Sequence, residues 1–199
     1  KQAIGVPFTT LNIRPDTMQH LMYYPQRPIV QSHHAEYNKC NELPFGANLI
    51  VAIAMYSGFN QEDSVIMSKG AIERGLFRTI YYKTIIIEEK KRCTISSENI
   101  SAIPPMYQVK NFDYSKLDSR GIVKVGSYCG VGDVIVGKLQ KNLNKSSGEE
   151  WKDNSVIIKS GEEGFVDSVF LTTTPDGYRI VKVKIRNIKI PEIGDKVAS

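Results

Sequence analysis

Cysteine is scarce in this chain of 199 residues, with only Cys40, Cys93 and Cys129. They lie far apart, none stands in a CxxC spacing, and the odd count argues against a disulfide framework. The expected setting is intracellular and reducing. Long hydrophobic runs are missing too. The longest, residues 49–56, has eight residues, well short of the roughly 20 that cross a bilayer. No signal-peptide pattern opens the sequence, so membrane insertion is not expected. Neither sign of charge dominates. The 26 Lys and Arg against 21 Asp and Glu leave +5, a surplus that suits a polyanionic partner but is common in proteins that touch no nucleic acid. The chain has no Ser/His/Asp order with a nucleophile elbow and no Gly-rich phosphate loop leading into a helix. A self-contained hydrolase or P-loop enzyme is therefore unsupported.

What is present is an ordinary globular composition, 41% apolar and 24% charged, far from that of disordered chains and sufficient for a proper core. Residue 1 is Lys, and the sequence stops at Ser199 without a terminal pattern, which reads as an internal piece of a longer chain.

Pro7, Pro15, Pro25, Pro28 and Pro44 punctuate residues 1–48, so extended segments and turns are expected there more than long helices. Residues 49–55 form an apolar run of strand length between Gly46-Ala47-Asn48 and Ser57-Gly58. That is the pattern of a core strand buried on both faces. A polar turn follows, Gly58-Phe59-Asn60-Gln61-Glu62-Asp63-Ser64, and then Val65-Ile66-Met67. Ser68 fits a helix N-cap, with Ala71, Ile72 and Arg74 in a short helix that Gly75 stops. From Phe77 onward the residues become strand-like, Thr79 to Tyr82 and Thr84 to Ile87, before the charged run Glu88 to Arg92. A domain boundary is placed near residue 78.

The second half is rich in β signals. Gly121-Ile122-Val123-Lys124-Val125, Asp133-Val134-Ile135-Val136 and Ser155-Val156-Ile157-Ile158-Lys159 are short apolar runs set off by turns. Residues 164–172 and 178–188 flank Pro175-Asp176-Gly177 and predict a hairpin, since Pro presets φ and Gly accepts positive φ. On its return strand Arg179, Lys182, Lys184 and Arg186 interleave with Ile180, Val181, Val183 and Ile185. Period two then puts most cations on one face. Residues 141–154 read as an exposed, mobile loop.

Glu62 and Asp63 are adjacent acids that could hold a hard cation such as Mg²⁺. Taken alone, they read equally as capping or solvated turn acids. Lys196, after the Gly194 turn, could present an ammonium to phosphate, and by itself is an ordinary surface lysine. Lys1, Gln2 and Arg27 are uninformative in isolation. His33, His34 and Cys40 suggest zinc weakly, because adjacent histidines seldom ligate one ion and no partner pair with zinc spacing follows.

Several blocks together are more specific. Lys1-Gln2-Ala3-Ile4-Gly5-Val6, Tyr23-Tyr24-Pro25-Gln26-Arg27-Pro28, Glu42-Leu43-Pro44-Phe45-Gly46, Gly58 to Met67 and Ile72 to Phe77 occur in that order. Gly132-Asp133-Val134-Ile135-Val136-Gly137-Lys138 and Gly194-Asp195-Lys196-Val197-Ala198-Ser199 follow. In content and order they resemble the second-largest subunit of multi-subunit DNA-directed RNA polymerases, in wording closest to the eukaryotic polymerase II type or a homologue in a large DNA virus. The resemblance covers nearly the whole chain.

The resemblance implies a mainly β fold with short helices: part of a double-psi β-barrel hybrid-binding region with an inserted β-rich wall. Residues 1–78 would be the hybrid-binding region, 79–190 the wall, and 191–199 the return into the hybrid-binding region. The implied function is DNA-templated transcription, supporting nucleotidyl transfer to the RNA 3′ end and holding the RNA–DNA hybrid. Mg²⁺ would be shared with the largest subunit. Asp63, helped by Glu62, would lie near the second Mg²⁺, directly or through water. Lys196 would approach the RNA 3′ end and nucleotide phosphates, and Lys1 and Gln2 would contact the hybrid backbone. Implied partners are the largest and other polymerase subunits, the DNA template, the RNA–DNA hybrid and nucleoside triphosphates. The setting would be the nucleus for a cellular eukaryote, or the host cytoplasm or virion for a virus.

The isolated piece is not expected to be active, because an Arg-His-Gly-Gln-Lys-Gly type segment with a second active-site lysine should follow Ser199. His33 and Asn41 stand where the family usually has Arg. Residues 88–116 and 141–154 match only loosely. The alternative of a different class is a non-catalytic nucleic-acid-binding β module derived from the same scaffold.

Overall fold

The structure is a computed structural model that describes Gly5 and residues 8–90, 97–141 and 151–198. The chain divides into two compact units. Lys1–Arg14, Met18–Tyr81 and Ile188–Ser199 form the first, and Pro15–Thr17 with Tyr82–Asn187 the second. The architecture is mainly β, with two short α-helices among the described residues, in agreement with the class read from the sequence.

The second unit is built on most of β2 (Thr79–Glu88) and of β10 (Arg179–Lys189), with β4 (Tyr128–Cys129) and β9 (Gly164–Thr173), side by side in the order β2-β10-β9-β4. Their β-branched and aromatic content suits a pleated, half-buried surface. The expected hairpin is β9 and β10. Gly177 turns it at φ +84°, and its N–H donates to the Thr174 carbonyl at 2.9 Å.

The hairpin register carries a bulge. Val183 faces Val169 and Lys184 faces Ser168, but Ile185 faces Val166, leaving Asp167 as an extra residue. The core face therefore takes Val166 and Val169 from β9 against Val181, Val183 and Ile185 from β10. Ile100, Ile135 and Ile158 join that core. They come from β3 (Glu98–Ile100), β5 (Val134–Val136) and the residue after β8 (Val156–Ile157).

The other face of β10 carries Lys182, Lys184 and Arg186, the side on which period two places most of the cations, and it is not uniformly solvated. Lys184 is fully buried, with Nζ 4.6 Å from the centre of the Tyr82 ring. Burial lowers its pKa, and the carboxylates of Asp167 and Asp16 oppose that shift. Period two placed the side chain on the correct face, but that face is covered at this point.

Two further expectations are corrected. Residues 121–125 are not a regular strand. They make isolated bridges, Leu117 to Val123 and Ile122 to Val136, although Ile122 and Val123 are buried. Gly121 sits at φ +79° with its Cα against the Ser101 backbone, where an added Cβ would lie 2.2 Å from the Ser101 carbonyl. The Asp118 carboxylate accepts the Ile122 N–H at 2.9 Å. Both constraints hold the chain in a turn. The loop expected over 141–154 is narrower, because β6 (Lys138–Lys141) and β7 (Trp151–Asp153) pair as Lys141 with Trp151 and Leu139 with Asp153. Residues 142–150 lie outside the described ones.

Two buried carboxylates brace the small strands, Glu89 against the large sheet and Glu98 among themselves. Glu89 accepts from Arg179 Nη2 at 2.7 Å and from the Ile100 N–H at 2.7 Å. Burial pushes its carboxyl up, yet the bonds from Arg179 and the two backbone N–H groups outweigh this and hold it below the usual carboxylate range. Glu98 accepts from Lys138 Nζ at 2.8 Å and from Asn154 Nδ2 at 2.9 Å. Charge-assisted bonds of this kind satisfy groups that would be costly to bury alone.

The first unit is less regular. It holds β1 (Met18–Met22) and the helices α1 (His33–Tyr37) and α2 (Lys69–Glu73). The expected core strand at 49–55 is overturned. Those residues are in no strand, and Ile50 and Ile53 are 104% and 101% exposed. A strand buried on both faces needs ladder partners and a covering layer on each side. Among the described residues nothing supplies them.

Candidate functional site

The acidic turn hangs on Asn60. Its side-chain oxygen accepts the Tyr56 N–H at 3.0 Å, and its Nδ2 donates to the Ala54 carbonyl at 2.7 Å. This closes residues 54–60 into a compact loop. Ser57 and Gly58 take left-handed conformations, φ +57° and +81°. Gly58 is suited by that φ more than by space, since an added Cβ would meet only Gln61 Nε2 at 3.7 Å. The Ser64 N–H donates to the Gln61 carbonyl at 3.1 Å, and within that turn Glu62 has φ +54°. A left-handed non-glycine residue costs about 1–2 kcal/mol, so the loop holds Glu62 against a local preference.

Glu62 and Asp63 are both exposed. Among the described residues neither carboxylate makes a hydrogen bond or an ion pair. The sequence pointed to the acids and missed Asn60, whose signal was present: an Asn two residues before an acidic pair and two after a Ser-Gly turn. Asn60→Ala should release the loop. The Tyr56 amide should then exchange with solvent about tenfold faster, in line with a lost hydrogen bond of roughly 1.4 kcal/mol. Unchanged protection at Tyr56 in a hydrogen-exchange experiment would remove Asn60 from this role.

Behind the turn, helix α2 ends as the sequence suggested. Gly75 lies at φ +106°, with the Leu76 N–H on the Ala71 carbonyl at 3.0 Å and the Gly75 N–H on Ile72 at 3.0 Å, a Schellman closure. Tyr24 packs on Gly75 so closely that a Cβ there would stand 2.6 Å from its ring. The Gln26 N–H donates to Gly46 at 2.9 Å, and Asn48 bonds Gln26 and the Arg27 carbonyl at 2.8 Å each. Three separate sequence blocks, at 23–28, 44–48 and 74–77, thus meet around a cavity of about 240 Å³.

Lys196 follows the Gly194 turn, where the Glu192 N–H donates to Asp195 Oδ2 at 2.9 Å and Asp195 N–H to the Glu192 carbonyl at 3.1 Å. Its side chain is exposed, and no bond joins it to Glu62 or Asp63 among the described residues. Lys1 and Gln2 lie outside the described residues. His33 is exposed on α1 and Cys40 is exposed beyond it. Asn41 donates to Gln31.

Residues 1–199 match the family described as RNA polymerase Rpb2, domain 6. The chain belongs to that family. Over its full length it is 40% identical to "DNA-directed RNA polymerase II subunit 2" of Arabidopsis thaliana, spanning 17% of that protein. A "Probable DNA-directed RNA polymerase II subunit RPB2 homolog" of Invertebrate iridescent virus 3 is 44% identical over 200 residues, again with the whole chain matched to 17% of its length. "DNA-directed RNA polymerase subunit Rpo2" of Sulfolobus acidocaldarius is 38% identical, with 18% of its length covered. The chain thus spans less than a fifth of the curated relatives it matches.

For a member of the Rpb2 family, the donor chemistry of the acidic turn bears on Mg²⁺. Two free carboxylates are hard oxygen donors, and Mg²⁺ takes one or two of these with waters and substrate phosphates making up an octahedron. Among the described residues no group of three or more His, Cys, Asp or Glu could hold a metal by itself. The turn therefore fits a shared shell and does not fit a self-sufficient metal site.

Proposed function

We propose that this chain is the part of a DNA-directed RNA polymerase subunit that supports nucleotide addition to the RNA 3′ end. The observation that carries this is the Asn60-anchored turn, which presents Glu62 and Asp63 exposed and uncommitted. In this reading Asp63, with Glu62 beside it, holds the Mg²⁺ that comes with the nucleotide. That ion supplies neutralising charge for the triphosphate. Lys196 adds an ammonium toward the phosphates, and Lys1 and Gln2 track the hybrid backbone by shape and charge. The remaining donors, the DNA template, the nucleoside triphosphate and the other subunits are brought by the assembled enzyme, inside the cell or virus-infected cell.

The same reading accounts for the exposed run at 49–55. Its apolar side chains become buried once other parts of the subunit pair with it in a double-psi β-barrel. An exposed patch of this kind marks an interface more often than a solvated surface.

The test is a Mg²⁺ titration of single-nucleotide addition by the assembled enzyme carrying Asp63→Asn, which keeps the shape and removes the charge. The half-saturating Mg²⁺ concentration should rise about tenfold, equivalent to about 1.4 kcal/mol of lost ion binding. A curve that superimposes on the unsubstituted enzyme would favour a non-catalytic nucleic-acid-binding module.

A further inference from the structure

Strands β4, β9 and β10 place three half-exposed side chains in one row across the sheet. Tyr128 lies directly opposite Phe165, and Phe165 directly opposite Arg186. Directly opposed residues of antiparallel strands share a face, so the two rings and the guanidinium line up on one surface. Their exposures are similar, 52% for Tyr128, 48% for Phe165 and 47% for the Arg186 side chain. The rings meet edge to face, 5.2 Å between centres and 68° between planes. In an edge-to-face pair each ring steadies the other, and both rings here remain about half exposed.

The row is open on its β4 side, while two residues along β10 the same face is covered at Lys184. The turn entering β4 runs from Lys124 to Ser127, with Ser127 N–H on the Lys124 carbonyl at 3.3 Å. A Cβ added at Gly126 within it would meet nothing within 4 Å. Among the described residues Arg186 has one ionic neighbour, Asp167 at 3.9 Å, which is too long to engage the guanidinium firmly and leaves its N–H fork available to another acceptor.

An apolar peptide would favour a groove lined by uncharged groups. This surface is the flat side of a sheet with a cation in register with the rings. Aromatic faces that stack bases, beside a cation that meets phosphate, make a platform for unpaired nucleic acid, whereas a duplex hides its base faces in its own stack. We infer that Tyr128, Phe165 and Arg186 form a stacking platform for a single-stranded segment of RNA, one or two bases resting on the rings with a flanking phosphate at Arg186. The choice of RNA rests on the polymerase reading above, because the transcript is the strand such an enzyme releases unpaired.

The experiment uses the complete assembled enzyme halted on templates whose RNA carries 5-iodouridine at successive positions, a base that on irradiation couples to an aromatic ring stacked against it. An adduct on Tyr128 or Phe165 is expected at one or two registers. It should fall about tenfold in the Tyr128→Leu, Phe165→Leu pair, which keeps apolar bulk and removes the π faces, and persist in Tyr128→Phe. If the leucine pair fails to assemble, Arg186→Gln decides, with a severalfold lower yield at low salt that vanishes at high salt. No adduct at any register, an equal yield in the leucine or glutamine variants, or rings shielded by another polypeptide with and without RNA would overturn the platform. Nucleotide addition by the same complexes reads out the Asp63 proposal separately. An active enzyme without an adduct defeats only the platform.

Discussion

In the assembled enzyme, Asp63→Ala should slow nucleotide addition on the order of 10²-fold, the usual scale for removing one preorganised charge partner from a site of phosphoryl transfer. Assembly and hybrid affinity should hardly change. The reasoning starts from exposure. Among the described residues Asp63 makes no hydrogen bond or ion pair and its side chain is exposed, so its removal leaves no buried partner stranded. What is lost is only what Asp63 does for something outside the chain. Lys196→Ala should act in the same direction for the same reason, since its side chain is also exposed. Rapid-quench measurement of single additions alongside hybrid-retention assays separates the outcomes. Normal addition rates in Asp63→Ala would end the assigned role, and equal losses of addition and assembly would make the residue structural.

The opposite logic applies at Glu98. Glu98→Ala should destabilise the chain by roughly 3–5 kcal/mol, because breaking a buried ion pair leaves an uncompensated buried charge. The side chains of Glu98 and Lys138 are only 1% and 11% exposed, and their charged atoms are 2.8 Å apart. Removing the carboxylate leaves Lys138 among buried residues and takes the partner from Asn154 Nδ2 as well. The double change Glu98→Leu with Lys138→Met should recover most of the loss, since replacing both members by apolar groups of similar volume is often neutral or stabilising. Urea unfolding of the three chains measures both steps. A single-variant loss under about 1 kcal/mol would mean that water reaches the pair and screens it.

Local chemistry was legible in the sequence where one residue type settles a backbone shape. Gly177 and Gly75 marked the hairpin turn and the helix end because few side chains accept their φ values. The strand content of β2, β9 and β10 followed from their β-branched residues. What depended on neighbours was not legible. Residues 49–55 have the composition of a core strand, but burial requires partners that periodicity cannot name. Lys184 reads as a surface cation until the Tyr82 ring and the carboxylates of Asp16 and Asp167 are placed around it. Glu89 and Glu98 sit in or near the charged run that begins at Glu88, and each becomes a buried acceptor only when Arg179 or Lys138 arrives from far along the chain. At the candidate site the acids were visible as a motif, whereas the role of Asn60 emerged from its two bonds to the backbone.

The extra residue Asp167 gives the β9–β10 hairpin a change of parity. On its turn side the inward positions of β9 count from Val169, and on its far side from Val166, three residues apart where an unbroken ladder would count two or four. Loss of one residue at Asp167 itself would merge the two counts and leave every other side chain of the strand on its present face. The same loss a few residues to either side would turn one end of the strand over, exchanging core for solvent. Changes in chain length along this strand are therefore unequal, and the bulge is the one position where a single-residue deletion preserves the sense of the whole ribbon.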